Sequence, residues 1–221
     1  MPRSEALLLQ WALYDNKEYG QAFKQAKDLL DELEGDDLRD ARRILGLACL
    51  RQQQYTQARL WLQKACHGST WAEDWMHLAV AAALQADWAL CEAAFDQVRF
   101  IQQMERYGQG AGFYRQLYWY ASALCDGAAY ERAQPLLEEL AEAYRRVGTS
   151  DTAQLYVVGL PFWSSFLTLV ERRFGEPGDY AAGVAWLHER MEAMDRDGRQ
   201  QLHQAMRRLR EAGGLSVEDE H

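Results

Sequence analysis

Five histidines stand at positions 67, 77, 188, 203 and 221, and their spacing bears on whether the chain could hold a catalytic metal. A helix that offers two zinc ligands on one face needs them four residues apart, as in H-E-x-x-H. His188-Glu189 starts such a run and lacks the second histidine, while Cys66-His67 would need a distant second pair that the sequence does not supply. The glycines of Gly108-Gln109-Gly110-Ala111-Gly112 would cradle a phosphate only between a strand and a helix, but their surroundings read as helical and no Gly-Lys-Ser/Thr follows. That run reads as a turn between helices. Carboxylates gather at Asp28, Asp31, Glu32 and Glu34 and again at Glu138, Glu139 and Glu142, all at positions a helix exposes. None has the buried reactive neighbour that a general acid or base requires. The chain is therefore expected not to be an enzyme and to carry neither metal nor cofactor.

The elements that must position any site are helices. Only 4 prolines and 16 glycines occur in 221 residues, and Ala, Leu, Gln, Glu and Arg recur throughout, so helix-interior residues dominate over strand formers. A formal net charge of -9, with no long Lys/Arg run, makes nucleic acid an unexpected partner. Short basic clusters such as Arg42-Arg43, Arg145-Arg146 and Arg172-Arg173 sit beside acidic neighbours and read as solvated helix faces. The N-terminus, MPRSEALLLQWALYDNK, shows no small-residue cleavage site, so no export signal is expected. The most apolar window, Leu155 to Val170, is uncharged for 16 residues but is interrupted by Gly159 and Pro161 and is too short to span a bilayer. It reads as part of an unusual buried helix over Gln154 to Phe174, with no membrane role. Cys49, Cys66, Cys91 and Cys125 are far apart and without a C-x-x-C pair, which points to reduced thiols and a cytoplasmic location.

Lining the chain up with itself reveals a repeat. Five segments carry an aromatic residue followed three positions later by a small one: Tyr19 and Ala22, Tyr55 and Ala58, Trp88 and Cys91, Tyr130 and Ala133, Tyr180 and Gly183. The offsets between aromatics are 36, 33, 42 and 50 residues. Four residues past the small position stand Ala26, Leu62, Phe95, Leu137 and Leu187, on the same helical face. A second apolar series precedes each aromatic, for example Leu45 and Cys49 or Leu78 and Ala82. Each unit is thus two helices joined by a short polar turn, and the small residue lets the second approach the first closely.

This pattern resembles the tetratricopeptide repeat family, most clearly in Leu45-Gly46, Tyr55, Ala58, Leu62 and Ala65. Trp75, Leu78, Ala79, Phe95 and Val98 in the third unit, and Ala121, Tyr130, Ala133, Leu137 and Leu140 in the fourth, are similar to it too. The motif's closing proline is missing from every unit. The resemblance implies an all-α fold: a right-handed α-solenoid of about five helix pairs forming one domain over residues 1–212. The helix at Arg199 to Ala212 would cap it, followed by a disordered acidic tail over 213–221.

The resemblance also implies a function. First helices would line a concave groove that binds a peptide or helical segment of another protein, as an adaptor, scaffold or chaperone would. Carried over unit by unit, the lining is Leu7, Leu8, Trp11 and Tyr14; Arg43, Ile44 and Leu47; Met76, His77 and Val80; and Tyr118, Trp119 and Ser122. Such an apolar, aromatic lining suits an apolar segment. Two other uses stay open: the C-terminal helix, with Leu202, Met206 and Leu209 on one face, could fill the groove, or the face could pair two copies in a homodimer. A different class of function, a small-ligand site or an enzyme pocket, would be built around residues 155–174, where Gly159 and Pro161 open the helix.

Overall fold

The computed structural model describes residues 3–104 and 113–215, and these are helical, with no strand among them. The glycine run at 108–112 and the tail from 216 onward lie outside the described residues. Where one domain over 1–212 is expected, the chain divides into two compact units, Met1–Gly108 and Gln109–His221.

The first unit begins with a 3-10 turn, Glu5–Leu7. It continues through α1 (Leu8–Asp15), α2 (Tyr19–Asp28), α3 (Gly35–Arg51), α4 (Tyr55–Cys66), α5 (Ala72–Ala83) and α6 (Trp88–Met104). Each helix packs on the next in the chain, and α3 also touches α1 and α5. The second unit holds α7 (Phe113–Asp126), α8 (Tyr130–Val147), α9 (Thr152–Val157), α10 (Trp163–Arg173), α11 (Tyr180–His188) and α12 (Arg196–Gly213). Here α7 packs on α8 and α10, and α12 packs on both α10 and α11, burying Leu202, Met206 and Leu209.

The repeat maps onto these helices residue for residue. Tyr19, Tyr55, Trp88, Tyr130 and Tyr180 are each the first residue of the second helix of a pair. The small residues three positions on are all buried. Two positions before the first four aromatics the backbone turns left-handed, at Lys17, Gln53, Ala86 and Ala128 (φ 66, 59, 54 and 55°). The amide of the following residue then donates back to the carbonyl five residues earlier: Glu18 to Leu13, Gln54 to Cys49, Asp87 to Ala82, Ala129 to Leu124. This Schellman closure ends one helix and aims the chain into the next. It is made here without glycine, against the usual steric preference. In the fifth pair Gly178 (φ 105°) stands two residues before Tyr180. Close helix approach is real at Gly46, where a Cβ would lie 2.5 Å from Leu62 Cγ.

The expected continuous helix over Gln154 to Phe174 is broken. Helix α9 ends at Val157 in the same Schellman closure, with Gly159 left-handed (φ 76°) and the Leu160 amide donating to Leu155. Pro161 excludes its predecessor from helical backbone, so the chain runs extended before α10. The segment is also not uniformly buried: Leu155, Leu160 and Pro161 are inside, but Tyr156, Val157, Val158 and Phe162 face solvent. Asp195 caps α12 and ties it to the end of α8. It accepts from Gly198 N (2.7 Å), Ser150 N (2.8 Å), Ser150 Oγ (2.8 Å) and Thr149 Oγ1 (2.7 Å). Burial pushes its carboxyl up, but these four donors outweigh that and hold it at about 2.

Candidate interaction faces

The first-helix positions that the repeat assigns to a groove have different fates in the two units. In the first unit Leu7, Trp11, Arg43, Ile44, Leu47 and Met76 are buried, so their side chains serve the interior. Tyr14, His77 and Val80 are half-buried and Leu8 is exposed. In the second unit Tyr118 and Ser122 are half-buried and Trp119 is exposed.

Burial of Arg43 is possible because α3 and α5 supply carboxylates to receive it. Its guanidinium bonds Asp40 one turn back on α3 and grips both oxygens of Asp74 on α5, the Nη2 to Oδ2 distance being 2.9 Å. Asp40 also accepts from Trp11 Nε1 at 2.7 Å and from the Ser4 amide at 2.9 Å, and Asp74 from Ser69 Oγ at 2.6 Å. Burial alone would lower the pKa of Arg43; Asp74 and Asp40 more than reverse this. The cluster thereby joins α1, α3 and α5 by hydrogen bonds in place of apolar packing. The repeat pattern expects Arg43 and Trp11 at a partner and gives Asp40 and Asp74 no role. The available signal was the i, i+3 spacing of Asp40 and Arg43, which also occurs in many exposed pairs.

Next to this cluster His77 is half-buried, with its Nδ1 inaccessible and without a hydrogen-bond partner among the described residues. Desolvation lowers its pKa to about 4, with Asp74 opposing and Arg43 and Arg51 adding to the shift. Tyr14, also half-buried, receives a hydrogen bond from Arg51 Nε at 3.1 Å. Cys49, Cys66, Cys91 and Cys125 are all buried thiols. Burial raises Cys49 and Cys125 to about 11 and Cys66 further still, so all three are poor nucleophiles near neutrality.

The second unit presents an apolar surface instead. Tyr156 is 64% exposed, Val157 76%, Val158 41% and Phe162 50%. These four lie within seven residues, on a turn pinned from behind by Leu155, Leu160 and a 2.7 Å hydrogen bond from the Tyr144 hydroxyl to the Pro161 carbonyl. From α7, Arg115 donates to the Tyr156 carbonyl at 2.7 Å and stacks its guanidinium 4.6 Å from the Tyr156 ring. Trp119, 47% exposed, stands one helical turn beyond Arg115 on the same side of α7. Further along, Arg172 of α10 joins Ser122 (3.1 Å) and Asp126 (2.6 Å) of α7. Of the expected lining, Trp119 is thus the exposed aromatic, and the turn beside it, expected from its apolar run to be buried, presents four side chains to solvent.

Among the described residues no group of three or more His, Cys, Asp and Glu is placed to hold a metal ion, and no helix is long and apolar enough to cross a membrane. The chain is an all-helical protein whose repeat is a helix pair closed by a left-handed turn. Compared with protein families and with curated proteins, the sequence has no significant match.

Proposed function

We propose that this chain is a protein–protein interaction module, an adaptor or scaffold, that docks an apolar segment of a partner protein on the turn at 156–162 and on Trp119. The reading treats the helix pairs as members of a right-handed solenoid similar to tetratricopeptide proteins, working in a reducing compartment such as the cytoplasm. One observation carries it: four large apolar side chains are held out to solvent by a turn whose backbone is fixed from within. An accidental hydrophobic loop has no reason to be so braced, whereas preorganised apolar anchors are what interfaces use.

The chemistry of the surface narrows the partner. No charged side chain occurs from Leu155 to Val170, and Arg115, the cation beside Tyr156, already donates to the Tyr156 carbonyl and stacks on its ring, so the surface offers most to an apolar or aromatic segment. The four exposed side chains offer on the order of 400 Å². That is about half of what one side of a stable pairing buries, so the patch suits a transient partner better than a permanent homodimer.

The test compares wild type with two folded variants. In Trp119→Ala/Tyr156→Ala/Val157→Ser the second-unit surface is removed; in Leu8→Ser/Leu9→Ser an equally exposed apolar patch of the first unit is removed. A protein captured from cells by the wild type is purified and titrated against all three. Binding weakened at least about tenfold by the second-unit changes alone supports the reading. Equal affinity for all three, or loss with the first-unit changes alone, overturns it.

A further inference from the structure

Arg115 stands where the two parts of the docking surface meet. From α7 its Nη2 donates to the Tyr156 carbonyl at 2.7 Å and its guanidinium lies 4.6 Å from the centre of the Tyr156 ring, while Trp119 follows one turn later on the same helix. Arg115 itself is half-buried, and the side chains of Trp119, Tyr156 and Val157 are exposed. These contacts fix the position of the guanidinium and leave it a cation without a counterion: no carboxylate bonds it among the described residues. Arg172, which reaches α7 further along, is paired with Asp126 at 2.6 Å, and Arg145 and Arg146 share Glu142. The Tyr156 carbonyl takes one N–H of Arg115 and the Tyr156 ring covers a face of its plane, so the Nε and Nη1 donors along the edge stay available.

That arrangement constrains whatever docks. A segment that covers both Trp119 and Tyr156 also covers Arg115, which joins the helix of one to the turn of the other. A wholly apolar segment would strip water from the guanidinium and return nothing, the cost that opposes any uncompensated buried charge. A carboxylate at this point restores the lost hydrogen bonds, in the bidentate geometry that the edge of a guanidinium matches. Apolar burial then supplies most of the affinity, and the carboxylate selects among apolar segments.

We infer, on the basis of docking at this surface as proposed above, that the docked segment carries one Asp or Glu side chain, flanked on both sides by apolar residues, and that this carboxylate pairs with Arg115. The carboxylate is internal to the segment because Arg115 has exposed apolar groups on each of the two elements it joins, Trp119 on α7 and Tyr156 with Val157 on the turn. A chain that ended at Arg115 would leave one of them uncovered. It is a single carboxylate because the net charge of -9 on this chain opposes a partner rich in them.

Calorimetric titration of the intact chain would compare short peptides of Leu and Phe, blocked at both ends, that have Glu, Gln or Lys at the centre. A Gln-centred peptide with a free C-terminal carboxylate completes the set. The Glu peptide is expected to bind at least about tenfold more tightly than the Gln peptide, with the Lys peptide weaker still. In Arg115→Gln the Glu and Gln peptides should bind alike, at the affinity that the Gln peptide has for the wild type. Trp119→Ala/Val157→Ser, which keeps Arg115 and its Tyr156 contacts, should weaken every peptide, as docking at this surface requires. A Gln peptide that equals the Glu peptide, yet is lost in Trp119→Ala/Val157→Ser, leaves docking in place and overturns the pairing with Arg115. No binding by any peptide, or binding indifferent to Trp119→Ala/Val157→Ser, overturns both. Equal loss of the Glu and Gln peptides in Arg115→Gln would mean that Arg115 only braces the turn, and a free C-terminal carboxylate that outbinds the internal Glu would put the charge at a chain end; either result overturns the inference.

Discussion

Ile44 in the first unit and Trp119 in the second occupy the same repeat position, eleven residues before the aromatic that opens the second helix of their pairs. Ile44 is fully buried, whereas nearly half of Trp119 is open to solvent. Helix α3 is flanked by α1 on one side and α5 on the other, and the polar atoms along that seam are consumed by Asp40, Arg43, Asp74 and Trp11. Within its own unit α7 has one neighbouring first helix, α10, and the aromatic turn after α9 lies beside it with Arg115 as the link. One repeat position can thus serve cohesion in one place and presentation in another. The difference lies in which neighbours arrive, not in the residue alone.

The sharpest way to break this comparison is to remove the charge that holds the first unit's seam. Arg43→Ala leaves two carboxylates buried without their cation and is expected to cost about 3–5 kcal/mol in urea unfolding. Replacing all three residues together, as Arg43→Met/Asp40→Leu/Asp74→Leu, should recover most of that loss. If Arg43→Ala costs no more than an exposed substitution, the cluster is not what joins these helices.

A smaller effect comes from His77 in the first unit, through pH. Its folded pKa near 4 lies below the ordinary 6.5, so between these values the unfolded chain binds the extra proton. Stability contributed by the neutral ring is therefore complete above about pH 6.5, is lost as pH falls toward 4, and changes no further below that. Between pH 7.5 and 5 the wild type should lose about 2 kcal/mol more than His77→Gln. Parallel curves for the two proteins would show that the ring is solvated in the folded state.

The smallest expected change tests what the units share. Ala86 and Ala128 hold left-handed backbone at equivalent turns, one in each unit. Ala86→Gly and Ala128→Gly should each stabilise the fold by roughly 0.5–1 kcal/mol, the left-handed strain relieved less the extra entropy of glycine in the unfolded chain. Destabilisation at either site would mean that the methyl group contributes packing that outweighs the strain.

Much of the helical order was legible before any coordinates. The aromatic that opens each second helix, the small residue three positions on and the capping helix at the end all fall where local spacing places them, because a 3.6-residue period fixes which residues share a face. The left-handed turns were not legible, since Lys17, Gln53, Ala86 and Ala128 carry no glycine signal. The break at 158–162 was half visible: Gly159 and Pro161 marked it, but the apolar run around them argued for burial. Least legible was the use of each face. The repeat assigns Arg43 and Trp119 alike to partner contacts, yet one is sealed between two aspartates and nearly half of the other is open to solvent.

The sequence by itself determined the helices, their pairing and the uncharged character of the 155–170 segment, since these depend on contacts a few residues apart or on composition alone. Only the tertiary structure decided that Asp40 and Asp74 enclose Arg43 and that Tyr156, Val157, Val158 and Phe162 face solvent. Those outcomes depend on residues 31 to 41 positions apart, such as Arg43 and Asp74 or Arg115 and Tyr156. Their meeting is set by how helices pack, and no local period encodes it.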